Sequence, residues 1–344
     1  MKSKSKDAKL FFSMTFEFLD IYMASQMGKS PDTVKSYRDA LTVFRKYLLH
    51  ECKIPIAKFT FEACTRDLIL EFMEYLKKRG NKPGTRNQRL TVIKTYLWFA
   101  ADKDITLQSI ALLISRVHAA KNPASEKPII TEQALTLLLQ KPDNSRIGIR
   151  DRTIMILLYD SAIRLAEILS LKVADVCLDR SDPYIRVMGK GHRERVVAIT
   201  EQTLDHVLHY LKIYHSEKCP NTELLFYTTI KGQTGMMSEG NVERFVRQYG
   251  DQIKAECPET PERVHPHMLR RTRATNLYHD GVELELVSRV LGHAKLETTR
   301  IYAKPSLDMM RIALESNAPP SVQNEKPLWG NASEDEMARM CGLR

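Results

Sequence analysis

The chain has 344 residues, with 52 Lys+Arg against 42 Asp+Glu and 43% hydrophobic residues. That length suffices for about two domains, each with its own core, and with no run of about 18 apolar residues a membrane-spanning helix is not expected. Six cysteines (Cys52, Cys64, Cys177, Cys219, Cys257, Cys341) never approach CxxC spacing, so neither a zinc site nor a disulfide framework is indicated.

The opening MKSKSKDAK is basic, but the apolar run after it is interrupted by Glu17 and Asp20. It does not read as a targeting segment, and a cytoplasmic protein is expected. Charge is unevenly placed: residues 1–125 hold 22 Lys+Arg against 12 Asp+Glu, and residues 126–344 hold 30 against 30. All the excess lies in the first third. A polyanion is the natural partner for it, because neutralising phosphates releases counterions.

In chain order, residues 9–27 are apolar at helical spacing, and Ser30-Pro31 supplies a cap and a first-turn proline for a second helix. Val34, Tyr37, Leu41, Phe44 and Leu48 form its buried stripe, with Lys35 and Arg38 mostly outside it. A third helix is expected over about 66–79, stopping near Gly80. A fourth starts after Pro83-Gly84, with Leu90, Ile93 and Leu97 inward and Arg86 and Arg89 three apart. These basic residues could track a DNA backbone. A fifth helix over about 106–118 ends the unit.

The stretch AAKNPASEKPII, with two prolines and little periodicity, reads as a linker. It divides a helical domain, residues 1–120, from a second domain, residues 131–316, with the linker itself at 121–130. Thr131 begins a helix, and IRDRTIMILLYD, about 149–160, is apolar enough to be central in the second core. Arg164 follows between two apolar runs, where a charge must either reach solvent or hold an anion. Next Ile185 and Val187 alternate with Arg186 and Met188, then come GKGH and Arg195 before VVAI. This is a β-hairpin with Lys190 in or beside its turn. GKG lacks the first glycine of a phosphate loop, so no ATP site is indicated. Helices are expected at about 201–214 and 238–255. His206, His209 and His215 among them lack companions at metal-ligand spacing.

Four chemically active residues then fall within a short stretch. His267 and Arg270 share a helix face, and His293 precedes Tyr302 by nine residues across a helix break. Leu284, Val287, Val290 and Leu291 form a stripe ending at Gly292, a natural left-handed cap, and Glu297-Thr298 can start a short helix carrying Tyr302. The set suits a tyrosine attacking a phosphodiester, with arginine on the non-bridging oxygens and imidazoles handling protons.

Arg164 in IRLAEILSL, Lys190 in GKGHRERVV, HPHMLRRT around His267 and Arg270, LGH ending at His293 and IY ending at Tyr302 together resemble the tyrosine recombinase or phage integrase family. The likeness covers most of residues 10–315. Ala162 departs from the family's usual glycine, and Arg271 from a second histidine that commonly follows the motif's arginine. The resemblance implies a mainly α fold with a small β-sheet: an N-terminal helical, SAM-like core-binding domain and a mixed α+β catalytic domain. It also implies roles. Tyr302 would be the nucleophile forming a 3′-phosphotyrosine, His267 the general base, and Lys190 the general acid on the leaving 5′-oxygen. Arg164 and Arg270 would clamp the phosphate, His293 would donate a hydrogen bond to it, and Glu167 would support the site. Reaching the phenolate at pH 7 from a pKa near 10 costs roughly 4 kcal/mol, so such help is needed.

The expected function is site-specific recombination of double-stranded DNA by a homo-tetramer on two duplexes, with neither metal nor other cofactor and without ATP. Accessory directionality or DNA-bending proteins could join it, and no membrane is involved; bound to DNA it would be nucleoid-associated. The expected role is integrase of a mobile element such as a phage or transposon. Xer-like resolution of chromosome or plasmid dimers is the alternative, ahead of a type IB topoisomerase or a DNA-binding regulator without the chemistry. Residues 317–344 read as a polar spacer followed by a short helix. In that helix Ser333 and Glu336 have capping-box spacing and Met337, Met340 and Cys341 share a face, which suits exchange between protomers.

Overall fold

A computed structural model describes residues 9–121, 127–189, 194–215, 223–293, 295–302, 305, 307–316 and 332–343. Lys190 in its GKGH turn, Cys219 and the spacer between the last two helices lie outside the described residues. The chain divides into two compact units, Met1–Glu126 and Lys127–Arg344.

The first unit is helical: α1 (Pro31–His50), α2 (Arg66–Lys78), α3 (Pro83–Lys103) and α4 (Gln108–Ser115). Ser30 accepts a hydrogen bond from the Thr33 amide with Pro31 in the first turn, so α1 starts where its cap dictates. Thr65 does the same for α2 through the Leu68 amide, and Gly80, in the left-handed region at φ 75°, ends that helix. The expected α1 stripe is buried at Val34, Leu41, Phe44 and Leu48. Residues 9–27 depart from a plain helix. They form a 3-10 turn, Phe11–Met14, and a π-wound helix, Glu17–Gln26. In a π-turn, residues five apart share a side, and Phe18 and Met23 are both buried. The core centres on Phe11, whose ring lies 5.2 Å from those of Phe59, Phe61 and Tyr96 and 5.7 Å from Phe44. Each such pair adds about 0.5–1.5 kcal/mol beyond burial.

The second unit runs α5 (Glu132–Gln140), α6 (Arg146–Ser161), α7 (Leu165–Ser170), β1 (Val176–Cys177), β2 (Tyr184–Met188), β3 (Glu194–Ala198), α8 (Glu201–Tyr214), β4 (Tyr227–Ile230), β5 (Gln233–Met236), α9 (Glu239–Ile253), α10 (Pro266–His279), α11 (Leu284–Leu291), α12 (Leu307–Ser316) and α13 (Glu334–Met340). Its start reaches back into the expected linker: Ile130 is buried in the core, and its amide donates to Thr272 Oγ1. As its composition requires, α6 is central. It buries Ile154, Met155, Leu157 and Leu158 and packs on α8 and α10. The β2–β3 ladder pairs Ile185 with Val197 and Val187 with Arg195, and the short β1 adds on its other side to make a three-stranded antiparallel sheet. A second ladder, β4–β5, turns through Lys231 and Gly232, both at positive φ. Two such residues are what a tight two-residue hairpin needs. Among the described residues no helix is long and apolar enough to cross a membrane.

Candidate active site

Three chain breaks between helices converge in the second unit. The first follows α6, where Ala162 takes a left-handed conformation (φ 50°, ψ 23°) and ends the helix. The chain then extends through Arg164, whose amide donates to Glu167 Oε2 at 2.8 Å as α7 begins. The second is the start of α10, where Pro266 in the first turn places His267 and Arg270 one turn apart on the same helix. The third is the end of α11. There Gly292 takes the expected left-handed cap (φ 62°), and the His293 amide returns to the Ser288 carbonyl at 3.1 Å.

Arg270 sits at the junction, 1% exposed. Its Nη1 donates to the Ala162 carbonyl, its Nη2 to the Leu291 carbonyl at 2.7 Å, and Nη2 also reaches His293 Nε2 at 3.2 Å. Burial and the neighbouring Arg164 lower its pKa to about 10, which leaves it charged at neutral pH. Arg164 remains partly open to solvent, with Nη1 2.9 Å from Glu167 Oε1. A cavity of about 280 Å³ is lined by Arg164, His267 and Arg270 together with His265, Glu239 and Glu243. A larger hollow, about 520 Å³, is lined by Arg150, Asp151, Arg244 and Tyr249 and shares none of these residues.

Both imidazoles are held neutral. Desolvation first, then the charge of Arg270, lowers His267 to about 4, although the residue as a whole remains exposed. The same two causes lower His293 to about 4. Tyr302 is 4% exposed and packs with Ala162, Ala274, Val287 and Leu291, its ring stacked on that of His293 at 6.2 Å and 18°. The expected helix under Tyr302 is instead a 3-10 turn, Leu296–Thr298. Tyr302 follows it in a further turn, its amide bonded to the Thr299 carbonyl at 2.9 Å. So the structure brings Arg164, Glu167, His267, Arg270, His293 and Tyr302 into one region, while Lys190 lies outside the described residues. No cluster of His, Cys, Asp or Glu among the described residues could hold a metal ion.

Two residues were not singled out in the sequence. Arg195 on β3 donates twice to Glu167, Nη1 to Oε1 at 3.1 Å and Nη2 to Oε2 at 2.8 Å, and its guanidinium lies against Gly292. A signal existed: Arg195, Val197 and Ile199 alternate onto the inward face, and an inward arginine needs a partner. Thr299, fully buried, holds His293 Nδ1 through its Oγ1 at 2.8 Å, and nothing in its spacing marks it. Arg271, at the position of the absent second histidine, donates to the Pro128 carbonyl at 2.8 Å and fastens the start of the unit to α10.

In the first unit, Lys35 and Arg89 line one groove between α1 and α3 with Ser36 and Gln88. Arg38 is paired with Asp20 at 2.7 Å, Arg89 donates to Asn81 at 2.7 Å, and Arg86 is half-buried. Arg38 and Arg89 therefore begin from protein partners, which a phosphate would have to replace.

A model of the phage integrase family matches residues 128–308, and one of the phage integrase SAM-like domain matches residues 14–115. The chain belongs to the phage integrase family. It is 27% identical over 317 residues to tyrosine recombinase XerD of Rickettsia prowazekii, covering 87% of this chain and 94% of that one. It is 28% identical over 298 residues to tyrosine recombinase XerC of Staphylococcus carnosus, covering 86% and 94%. Among solved structures, the Tn1549 transposon integrase in complex with transposon right end DNA aligns with a TM-score of 0.66 at 14% identity, over 89% of this chain and 99% of that one. The chain is thus a tyrosine recombinase, an enzyme of site-specific DNA recombination that cleaves and rejoins DNA, with the mainly helical fold and SAM-like first domain expected from its motifs.

Glu167 carries a testable consequence. Its burial alone would raise its pKa, but hydrogen bonds from Arg195 and the Arg164 amide, and both charges, hold it below the ordinary value. A depressed carboxylate stabilises the fold fully above its unfolded pKa and loses that contribution as pH falls through the lower folded value. Removing one partner of such a largely buried pair costs about 3 kcal/mol. Arg195→Met should therefore lower the urea midpoint at pH 7 and start acid unfolding at a higher pH than in the unaltered chain. Identical acid profiles would show that Arg164 alone suffices.

Proposed function

We propose that Tyr302 attacks a DNA phosphodiester, forming a 3′-phosphotyrosine and releasing a 5′-hydroxyl. The observation that supports this reading is the gathering of Arg164, His267 and His293 around Arg270, with the ring of Tyr302 stacked on that of His293. The phenol proton passes to neutral His267, and the phosphorus–oxygen bond to the 5′ side breaks as the bond to Tyr302 forms. Arg164, on the cavity side, and Arg270, on its wall, offer paired donors to charge building on the phosphate. Lys190 supplies the proton to the leaving oxygen. The energy of the broken ester is kept in the phosphotyrosine, so rejoining reverses the step without ATP. Tyr302 is covered in this structure, so the segment bearing it must shift for the phenol to meet a phosphate.

The same reading makes the enzyme an integrase of a mobile element, working as a tetramer on two duplexes in the cytoplasm and reading DNA partly through Lys35, Arg38, Arg86 and Arg89. Kinship with recombinases named XerC and XerD favours a second reading, Xer-like resolution of dimers. The first domain at 1–120 and the catalytic domain at 131–316 divide the labour of binding and chemistry. The tail, residues 317–344, links protomers. Ser333 Oγ accepts from the Glu336 amide and Glu336 Oε2 accepts from the Ser333 amide, so α13 is capped at its start. Yet α13 has only seven residues and buries none of them. So short a helix is marginal alone, which suits docking on a neighbouring protomer.

Tyr302→Phe should bind target DNA normally yet form no covalent adduct with a nicked suicide substrate on a denaturing gel. A persistent adduct would move the nucleophile elsewhere, Tyr278 being the nearest candidate in sequence. Lys190→Ala should cleave about 10²–10⁴-fold more slowly. A 5′-thio substrate should restore much of that rate, because a thiolate leaves without a proton; equal defects on both substrates would make Lys190 a binding residue. Deleting residues 328–344 should leave single half-site binding intact and weaken cooperative occupancy of a full site in a gel-shift titration. Unchanged cooperativity and recombination would refute the docking.

A further inference from the structure

The role assigned to His293 requires it to donate a hydrogen bond to the phosphate, but the geometry of the free chain points the other way. Arginine can only donate, so at 3.2 Å from Arg270 Nη2 the His293 Nε2 must be the bare, accepting nitrogen. A neutral ring then carries its proton on Nδ1, where it donates to Thr299 Oγ1 at 2.8 Å. In this state the face of His293 that should meet the phosphate has no proton to give. When a phosphate draws Arg270 Nη2 toward itself, Nε2 loses its donor, and the useful tautomer becomes the one protonated at Nε2. Nδ1 is then bare and needs a donor in place of an acceptor. A hydroxyl is the side-chain group that serves both states by rotating one bond, and Thr299 holds it fully buried, where no solvent can substitute.

We propose that Thr299 is a positioning residue whose hydroxyl accepts from His293 Nδ1 in the free chain and donates to it once phosphate is bound, presenting a protonated Nε2 to the phosphate. The exchange is neutral overall: one proton arrives at Nε2 from water, and the Nδ1 proton leaves to water in a transient opening of the His293–Thr299 contact, so the ring ends uncharged. Thr299 also accepts the Tyr302 amide through its backbone carbonyl, at 2.9 Å. That bond is independent of its side chain, so substitutions at Thr299 separate the two contributions.

The inference rests on the recombinase reading, and its test uses the full chain. Thr299→Val should form the Tyr302 adduct on a nicked suicide substrate about 10–100-fold more slowly, the worth of one hydrogen bond to a group bearing charge. Half-site binding should be unchanged, and Thr299→Ser should restore most of the rate. In a His293→Ala background, Thr299→Val should add no further loss. In chain carrying ¹⁵N-histidine, the His293 resonances should report a proton on Nδ1 in the free protein and on Nε2 when Tyr302→Phe chain is bound to a half-site duplex. Equal losses in both backgrounds, full speed in Thr299→Val, or an Nε2 proton in the free protein would each overturn the proposal. The nitrogen resonances decide it even if Thr299→Val fails to fold. Absence of any adduct from the unaltered chain would sink the reading of Tyr302 instead, a result distinct from all of these.

Discussion

A single buried guanidinium organises the catalytic unit. Arg270 is a charge with almost no contact with water, and an uncompensated charge in such a place costs several kcal/mol. What compensates it are the carbonyls of Ala162 and Leu291, which close α6 and α11, both at the negative ends of their helices. Satisfying Arg270 therefore fixes where two helices stop relative to α10. Arg164 leaves the first of those ends and His293 the second, and Tyr302 packs on the residues between them. Geometry at the cavity is set by an interaction one layer beneath it.

The balance of charge around that layer is the second constraint. Arg164, Arg195 and Arg270 gather near one carboxylate, Glu167, which Arg164 and Arg195 both hold. Burial first, and the excess of positive charge second, keep His267 and His293 neutral, and the charge is the part that an anion would relieve. A phosphate entering the cavity would lower the cost of protonating both rings, so in the proposed reaction the charges that hold the substrate would also make His267 a better base. The electrostatic part of that coupling acts through space, apart from the shift that would bring the Tyr302 phenol to the phosphate.

Much of this was legible where local chemistry acts alone. Ser30-Pro31, Thr65, Gly80 and Gly292 mark helix ends because each end is a matter of a few backbone amides or one left-handed residue. The stripes of α1 and α11, the centrality of α6 and the β2–β3 hairpin follow from spacing. The residues that gather around Arg270 could be singled out because they sit in short motifs in a fixed order. What stayed hidden depends on partners distant in sequence. The π-winding of Glu17–Gln26 answers to the aromatic core it packs on, and β1 exists only by pairing with β2. Arg195 meets Glu167 across 28 positions, and Thr299 matters only because the turn after Gly292 brings it under His293. The turn carrying Tyr302 is not the helix its sequence suggests, because a capping signal does not say how many turns follow it.

Ala162 shows how the hidden layer accounts for a departure visible in the motif. The family usually has glycine there, and the backbone explains why, since φ is 50°. An alanine in the left-handed region costs about 1–2 kcal/mol in strain. Two terms oppose that cost. Its methyl is fully buried against Val287, Leu291 and Tyr302, worth about 0.8 kcal/mol on transfer. The left-handed turn also aims its carbonyl at Arg270, and a hydrogen bond to a charged group contributes about 1.5–3 kcal/mol. Relaxing the strain would turn that carbonyl away and leave part of Arg270 unsatisfied, so the strained conformation is the lower-energy one. Glycine is the easier residue at this position, but Arg270 is what requires the conformation, and alanine can hold it for the same reason.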